Sequence, residues 1–142
     1  MEIRDALGDD NPVYQDAFEI RKLVFSIEQN VPLDEEIDEY ESIARHFVLY
    51  DNGAPVACAR LLYFGDSAKV GRVAVLEQHR RKGFATIICE HCINVARKNG
   101  MKNAFLHAQT QAMGFYQTLG FAEEGDVFLE DGIDHIRMTM PL

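Results

Sequence analysis

The densest chemistry in the chain lies in Val73-Ala74-Val75-Leu76-Glu77-Gln78-His79-Arg80-Arg81-Lys82-Gly83-Phe84-Ala85. An apolar strand runs into three consecutive cations, and a glycine opens a helix behind them. The first N–H groups of a helix have no intrahelical partner and can donate to an anion. The helix dipole adds the equivalent of about half a positive charge there. Arg80, Arg81 and Lys82 add side-chain charge, and Gly83, with no Cβ, lets a ligand approach the backbone. Such a turn can grip a pyrophosphate; the plainer alternative is a solvated basic turn. It is neither a Walker loop nor a dinucleotide fingerprint, because neither Gly-x-x-x-x-Gly-Lys-Ser/Thr nor Gly-x-Gly-x-x-Gly occurs.

A second chemical stretch is acidic. Asp34 to Glu41 holds six carboxylates in eight residues, with Ile37 and Tyr40 as its apolar anchors. It reads either as a solvated charge run or as a rim that attracts an amine. Cys89-Glu90-His91-Cys92 has a spacing that suggests metal. On a helix, however, Cys89 and Cys92 share the buried stripe, and a structural zinc needs four ligands. No metal is expected.

The elements that carry these residues follow from pattern. Met1–Leu7 reads as a short strand. Asn11 as N-cap and Pro12 at the first helical position open a helix with Val13, Ala17, Ile20 and Val24 on its buried stripe; it should fray near 26–30. His46–Tyr50, Val56–Phe64 and Lys69–Leu76 read as three strands joined by tight turns at Asp51-Asn52-Gly53 and Gly65-Asp66-Ser67. A helix over Gly83–Asn99 crosses over to a strand at Asn103–Ala108, which should lie parallel to Lys69–Leu76. A short helix at Gln111–Leu119 and a hairpin of Phe121–Leu129 with Ile133–Met140 close the chain.

The bulk numbers narrow the classes. A chain of 142 residues is expected to form one domain, residues 1–142. The net charge of −9 argues against nucleic acid as a partner, and an acidic body with a basic turn suits an anionic cofactor. No apolar run approaches the roughly 20 residues of a membrane span. Three cysteines without framework spacing, and an N-terminus unlike a signal peptide, lead us to expect a cytoplasmic protein.

Two motifs now stand in order. Val73-x-Val75 precedes Arg80-x-x-Gly83-x-Ala85, and Gln109-x-x-Ala112-x-x-Phe115-Tyr116-x-x-x-Gly120-Phe121 follows. The pair resembles the GNAT superfamily of acyl-CoA-dependent N-acetyltransferases. Four further stretches resemble its small bacterial ElaA-like branch: Val24-Phe25-Ser26-Ile27-Glu28-Gln29, Ala59-Arg60-Leu61, Ala108 to Ala112, and Gly132-Ile133-Asp134-His135.

The resemblance implies a mixed α/β (α+β) fold. Its central, largely antiparallel sheet would be splayed between its middle strands and flanked by about four helices. It also implies direct acetyl transfer from acetyl-CoA, as co-substrate, to a small amine in a ternary complex, with a homodimer as an option. Cys58, Cys89 and Cys92 lie outside both motifs, which disfavours an acyl-enzyme. Pantetheine would pair with the backbone at Val73 and Val75, and the pyrophosphate would sit on Arg81, Lys82, Gly83, Phe84 and Ala85 with Arg80 nearby. Gln109 would orient the cofactor or the helix. Tyr116 is the implied acid for the departing thiolate. Glu28 is the first candidate base, with His46, His107 and His135 as alternatives. Arg60, Arg72, His107 and His135 are candidate acceptor-binding residues; the two arginines could instead pair with the acidic segment. Rival readings are a non-catalytic acyl-CoA sensor, a protein or peptide acetyltransferase, and a module that docks a basic partner on Asp34–Glu41.

Overall fold

A computed structural model describes residues 1–142. Seven strands form one sheet: β1 (Glu2–Leu7), β2 (Arg45–Asp51), β3 (Ala54–Phe64), β4 (Ser67–Val75), β5 (Asn103–Gln109), β6 (Ala122–Glu130) and β7 (Ile133–Pro141), in the order β1-β2-β3-β4-β5-β7-β6. Four α-helices accompany them: α1 (Pro12–Arg21), α2 (Leu33–Glu36), α3 (Phe84–Lys98) and α4 (Met113–Thr118). Every neighbouring pair is antiparallel except β4 with β5, which follows the α3 crossover and is parallel. The expected architecture, including the parallel central pair, is therefore the observed one.

The sheet separates two apolar layers. On one face Phe84, Ile88, Cys92, Ile93 and Ala96 of α3 pack on Phe47, Leu49, Leu61, Val70, Leu106 and Met138. On the other face Ala17 and Ile20 of α1, with Val24 beyond it, pack on Val48, Tyr50, Cys58 and Ala74. The second layer covers only β2 to β4. The same face of β5, β7 and β6 carries no helix.

The start of α1 is as its sequence dictates. The Asn11 side chain accepts from the Tyr14 amide at 2.7 Å, and Pro12 occupies the first turn. Its end corrects the expected fraying. The backbone widens into a π-helical segment over Lys22–Glu28, closed by Gln29 N–H donating to Val24 O at 3.1 Å. The extra residue per turn rotates Phe25 and Gln29 towards the centre of the molecule, where both line the main cavity.

The central feature is a slit. β4 pairs with β5 only where Ser67–Lys69 meets Asn103–Phe105. Immediately beyond, Arg60 stands opposite Gly71 and Cys58 opposite Ala74, so Arg72 and Val73 together face the single residue Ala59. This is a β-bulge, with Arg72 in the left-handed region at φ 51°. A bulge bends its strand and sharpens the twist, and here it carries β4 away from β5. Leu76 N–H donates to Val56 O on β3, so the alternation turns the polar backbone groups of Val75 and Val73 towards the slit.

Candidate active site

The slit opens into a cavity of about 720 Å³, within the range of small-molecule sites. Val73, Val75, Arg80 and Ala85 wall one end; Gln109, Phe115 and Tyr116 flank it; Lys69, His107, Glu130 and His135 wall the other. Of the sequence-predicted residues, Arg60 and Arg72 line it as well, while Arg81, Gly83 and Phe84 surround a smaller adjoining hollow with His79.

The helix start has the form an anion site needs. Gly83, at φ 79°, precedes α3, and no side chain caps it. Arg80 N–H donates to Glu77 O and Ile87 N–H to Gly83 O; the amides from Arg81 to Thr86 have no backbone partner outside α3. A Cβ at Gly83 would meet nothing within 4 Å, so backbone conformation, not crowding, sets the requirement for glycine there.

Glu28, the first candidate base, belongs to this end. Its carboxylate receives both Arg80 Nη1 and Nη2 at 2.7 Å, while Arg80 Nε donates to Val75 O at 3.0 Å. The Arg80 hydrogen bonds hold the Glu28 carboxyl below its ordinary range. Both oxygens are thus engaged by Arg80 and the carboxylate's proton affinity is lowered, an arrangement that weighs against a general-base role while the ion pair stands. It ties the π-helical segment to the basic turn.

Arg60 and Arg72 take the second of their two anticipated roles. Arg60 donates to Asp38 Oδ1 at 2.8 Å and Oδ2 at 2.9 Å; Arg72 lies 3.1 Å from Glu36 and 3.3 Å from Asp38. Arg21, which sequence reasoning missed, completes the cluster. It is 1% exposed and holds Glu36 at 2.7 Å and both oxygens of Glu41 at 2.9 and 2.7 Å. Burial drives the Asp38 and Glu41 carboxyls upward, but the guanidinium hydrogen bonds and charges outweigh it and leave both below their ordinary values. For Glu36 burial wins, and its carboxyl is raised. Half of the acidic stretch is thus an internally neutralised wall, made of Glu36, Asp38 and Glu41, while Asp34, Glu35 and Glu39 stay exposed. Ile37, expected as an anchor, is exposed instead.

Gln109 donates to Gln29 Oε1 at 2.9 Å, joining the end of β5 to the residue after the π-helical segment. Tyr116 packs edge-on to Phe115 and Phe121 on α4. Burial pushes its phenol well above the ordinary value, so it stays protonated and able to donate. His46 is buried away from the cavity, with its Nε2 against Glu41 O, and burial depresses its imidazole. Cys58, Cys89 and Cys92 are buried; burial pushes the Cys58 and Cys89 thiols up to about 12, so neither supplies a thiolate. The second missed residue is Glu130, at the end of β6, whose carboxylate lies 3.0 Å from His107 Nδ1 and 3.6 Å from His135 Nε2.

A mixed sheet opened between parallel central strands, with an uncapped helix start at the mouth, forms a slit that can take an extended anionic ligand. Comparison with known proteins gives the class. The model of the acetyltransferase (GNAT) domain matches residues 13–142. The uncharacterized N-acetyltransferase YjcF of Bacillus subtilis is 40% identical over 125 residues, 87% of this chain and 89% of that one. Protein ElaA of Escherichia coli is 33% identical over 126 residues, 85% of this chain and 82% of that one. The crystal structure of Escherichia coli ElaA superposes with a TM-score of 0.87 at 29% identity over 99% of both chains. A Pseudomonas aeruginosa acyl-CoA N-acyltransferase shares the fold, with a TM-score of 0.86 at 24% identity over 98% of both chains. The chain belongs to the GNAT acetyltransferase family and is an acyltransferase. No helix is long and apolar enough to cross a membrane.

Proposed function

We propose that the enzyme transfers the acetyl group of acetyl-CoA directly to the primary amine of a small molecule. One observation carries this reading: backbone at Val73 and Val75 that no neighbouring strand pairs on the β5 side leads along one cavity wall to the uncapped amides of residues 81–85. An extended pantetheine can add to Val73 and Val75 as a strand adds to a sheet edge. Arg81, Lys82, Gly83, Phe84 and Ala85 then receive the pyrophosphate, and Arg80 exchanges Glu28 for it. The Val75 amide donates to the thioester carbonyl as negative charge develops on its oxygen.

Tyr116 gives its proton, or a hydrogen bond, to the departing thiolate. The buried cysteines leave no candidate for an acyl-enzyme, which supports a ternary complex. A small acceptor is favoured by the volume of the cavity, about 720 Å³ for donor and acceptor together.

The test is an acetyl-CoA titration followed by an amine panel read by release of free thiol. Micromolar acetyl-CoA affinity and turnover with at least one amine are expected, with Tyr116→Phe slowing turnover while binding stays intact. Absence of acetyl-CoA affinity ends this reading. Affinity without turnover of any amine leaves the acyl-CoA sensor in its place.

A further inference from the structure

The geometry points to His107 as the general base, positioned by Glu130 and His135. This assignment rests on the acetyl-transfer reading above and deepens it. Three adjacent strands build the cluster on the helix-free face of the sheet. On β5 and β7, Gln109 stands opposite His135 and His107 opposite Arg137; on β6 and β7, Phe128 stands opposite His135. Between Glu124 and Phe128 the register of β6 shifts, with Gly125 at φ 81°, before Phe128 comes level with His135. The Phe128 ring meets His107 edge-on at 5.0 Å and stacks on His135 at 6.0 Å, so both imidazoles are fixed against one aromatic surface.

The hydrogen bonds settle the tautomer of His107. Its Nδ1 faces Glu130 Oε1 at 3.0 Å, and a carboxylate only accepts, so Nδ1 carries the hydrogen. Nε2 is left with its lone pair free. The His107 hydrogen bond holds the Glu130 carboxyl below its ordinary value, which keeps it anionic and able to orient the ring. The other Glu130 oxygen lies 3.6 Å from His135 Nε2, while His135 Nδ1 donates to Ile133 O at 2.7 Å and so fixes the ring on which Phe128 stacks. The charged groups around His107 are Lys69 on β4, Glu130 at the end of β6, and His135 and Arg137 on β7. Arg137 is directed away onto Phe105 and Glu124. Burial lowers the Lys69 ammonium, and the salt bridges leave it without a carboxylate partner.

The proton balance assigns one role to each group. An acceptor arriving as an ammonium gives one proton to His107 Nε2, which passes it to water. The freed nitrogen lone pair forms the N–C bond as the C–S bond breaks. As the amide forms, the second nitrogen proton replaces the one that Tyr116 gives to the thiolate, so coenzyme A leaves as the thiol and the phenol is restored. His107 is the catalytic residue; Glu130 and His135 are positioning residues.

The experiment compares wild type, His107→Gln, Glu130→Gln and Glu130→Asp. It reads acetyl-CoA binding, kcat and KM across pH for amines of graded basicity, and the nitrogen NMR shifts of the His107 ring. All four should bind acetyl-CoA equally. His107→Gln should lose about 100-fold or more in kcat, the loss shrinking for weakly basic amines that arrive unprotonated. Glu130→Gln should lose about tenfold in kcat with KM little changed, because the amide can turn its NH2 to Nδ1 and no longer fixes the tautomer. Glu130→Asp should restore part of the loss. NMR should show hydrogen on Nδ1 and a bare Nε2 in the wild type. An active wild type with a silent His107→Gln, or hydrogen on Nε2, overturns the assignment alone. Acetyl-CoA bound without turnover of any amine overturns it together with the acetyl-transfer reading, and the NMR tautomer then tells the two failures apart.

Discussion

The two ends of the slit are made of different material. At the mouth, between Val73 and Ala85, the working groups are backbone amides from 13 consecutive residues, and the side chains there serve as charge. At the far end the working groups are side chains. Lys69, His107, Glu130 and His135 come from four strands, and Arg21, Glu36, Asp38, Glu41, Arg60 and Arg72 form a wall drawn from α1, α2, the loop after it, β3 and β4. A backbone site tolerates wide variation in sequence as long as its conformation holds. A side-chain site is lost when one member changes. In the proposed reading the donor therefore meets a common scaffold, and the acceptor the particular assembly at the far end.

If the two ends are independent, substitutions at each should leave the other untouched. The largest effect should come from Arg21→Leu. Removing one partner of a buried ion cluster leaves Glu36 and Glu41 uncompensated, at about 3–5 kcal/mol in stability. A urea or thermal unfolding curve reads it; a loss below about 1 kcal/mol would mean that the wall is not structural. Next is Tyr116→Phe, expected to lower kcat about 10- to 100-fold with acetyl-CoA affinity unchanged, a split visible by pairing calorimetry with steady-state rates. Gly83→Val should weaken acetyl-CoA about tenfold through strain at φ 79°, since a Cβ there meets no neighbour. A change in acceptor KM instead would join the two ends. The smallest is Glu28→Gln, expected to leave kcat within about threefold and to tighten acetyl-CoA slightly by releasing Arg80. A collapse of kcat would restore Glu28 as base.

Acid should weaken the far end first. Asp38, Glu41 and Glu130 have depressed carboxyls in the folded state, so their stabilisation is present above the ordinary values of 3.8 and 4.5 and is lost as pH falls through the folded ones. Glu36, raised by burial, acts in the opposite sense: its contribution favours the fold at low pH and declines as pH rises past 4.5. Net loss of stability below about pH 4.5 is expected, followed by circular dichroism, with a shallower slope in Arg21→Leu.

How much of this the sequence disclosed follows the same division. The mouth is contiguous, so strand, basic turn and glycine could be read in place, and element order gave the parallel central pair. Arg21 had a signal that periodicity contains: it sits at the i+4 position of the stripe Ala17, Ile20, Val24. A cation inside a buried stripe demands carboxylates, and the acidic run follows shortly after. Glu130 had none. In sequence it is the first residue of a polar hairpin turn, and only the pairing of β5, β7 and β6 sets it between two histidines. The bulge at Arg72 was equally hidden, because a left-handed arginine inside a strand leaves no mark in hydrophobic alternation.

That bulge makes the enzyme's defining opening a matter of counting. Excise one residue between Gly71 and Ala74 and β4 could run flush with β3 and onward beside β5, zipping shut with ordinary rungs. The result would be a sounder, more continuous sheet with nowhere for a guest to lie. A single surplus amino acid is what separates a catalyst from a well-made brick.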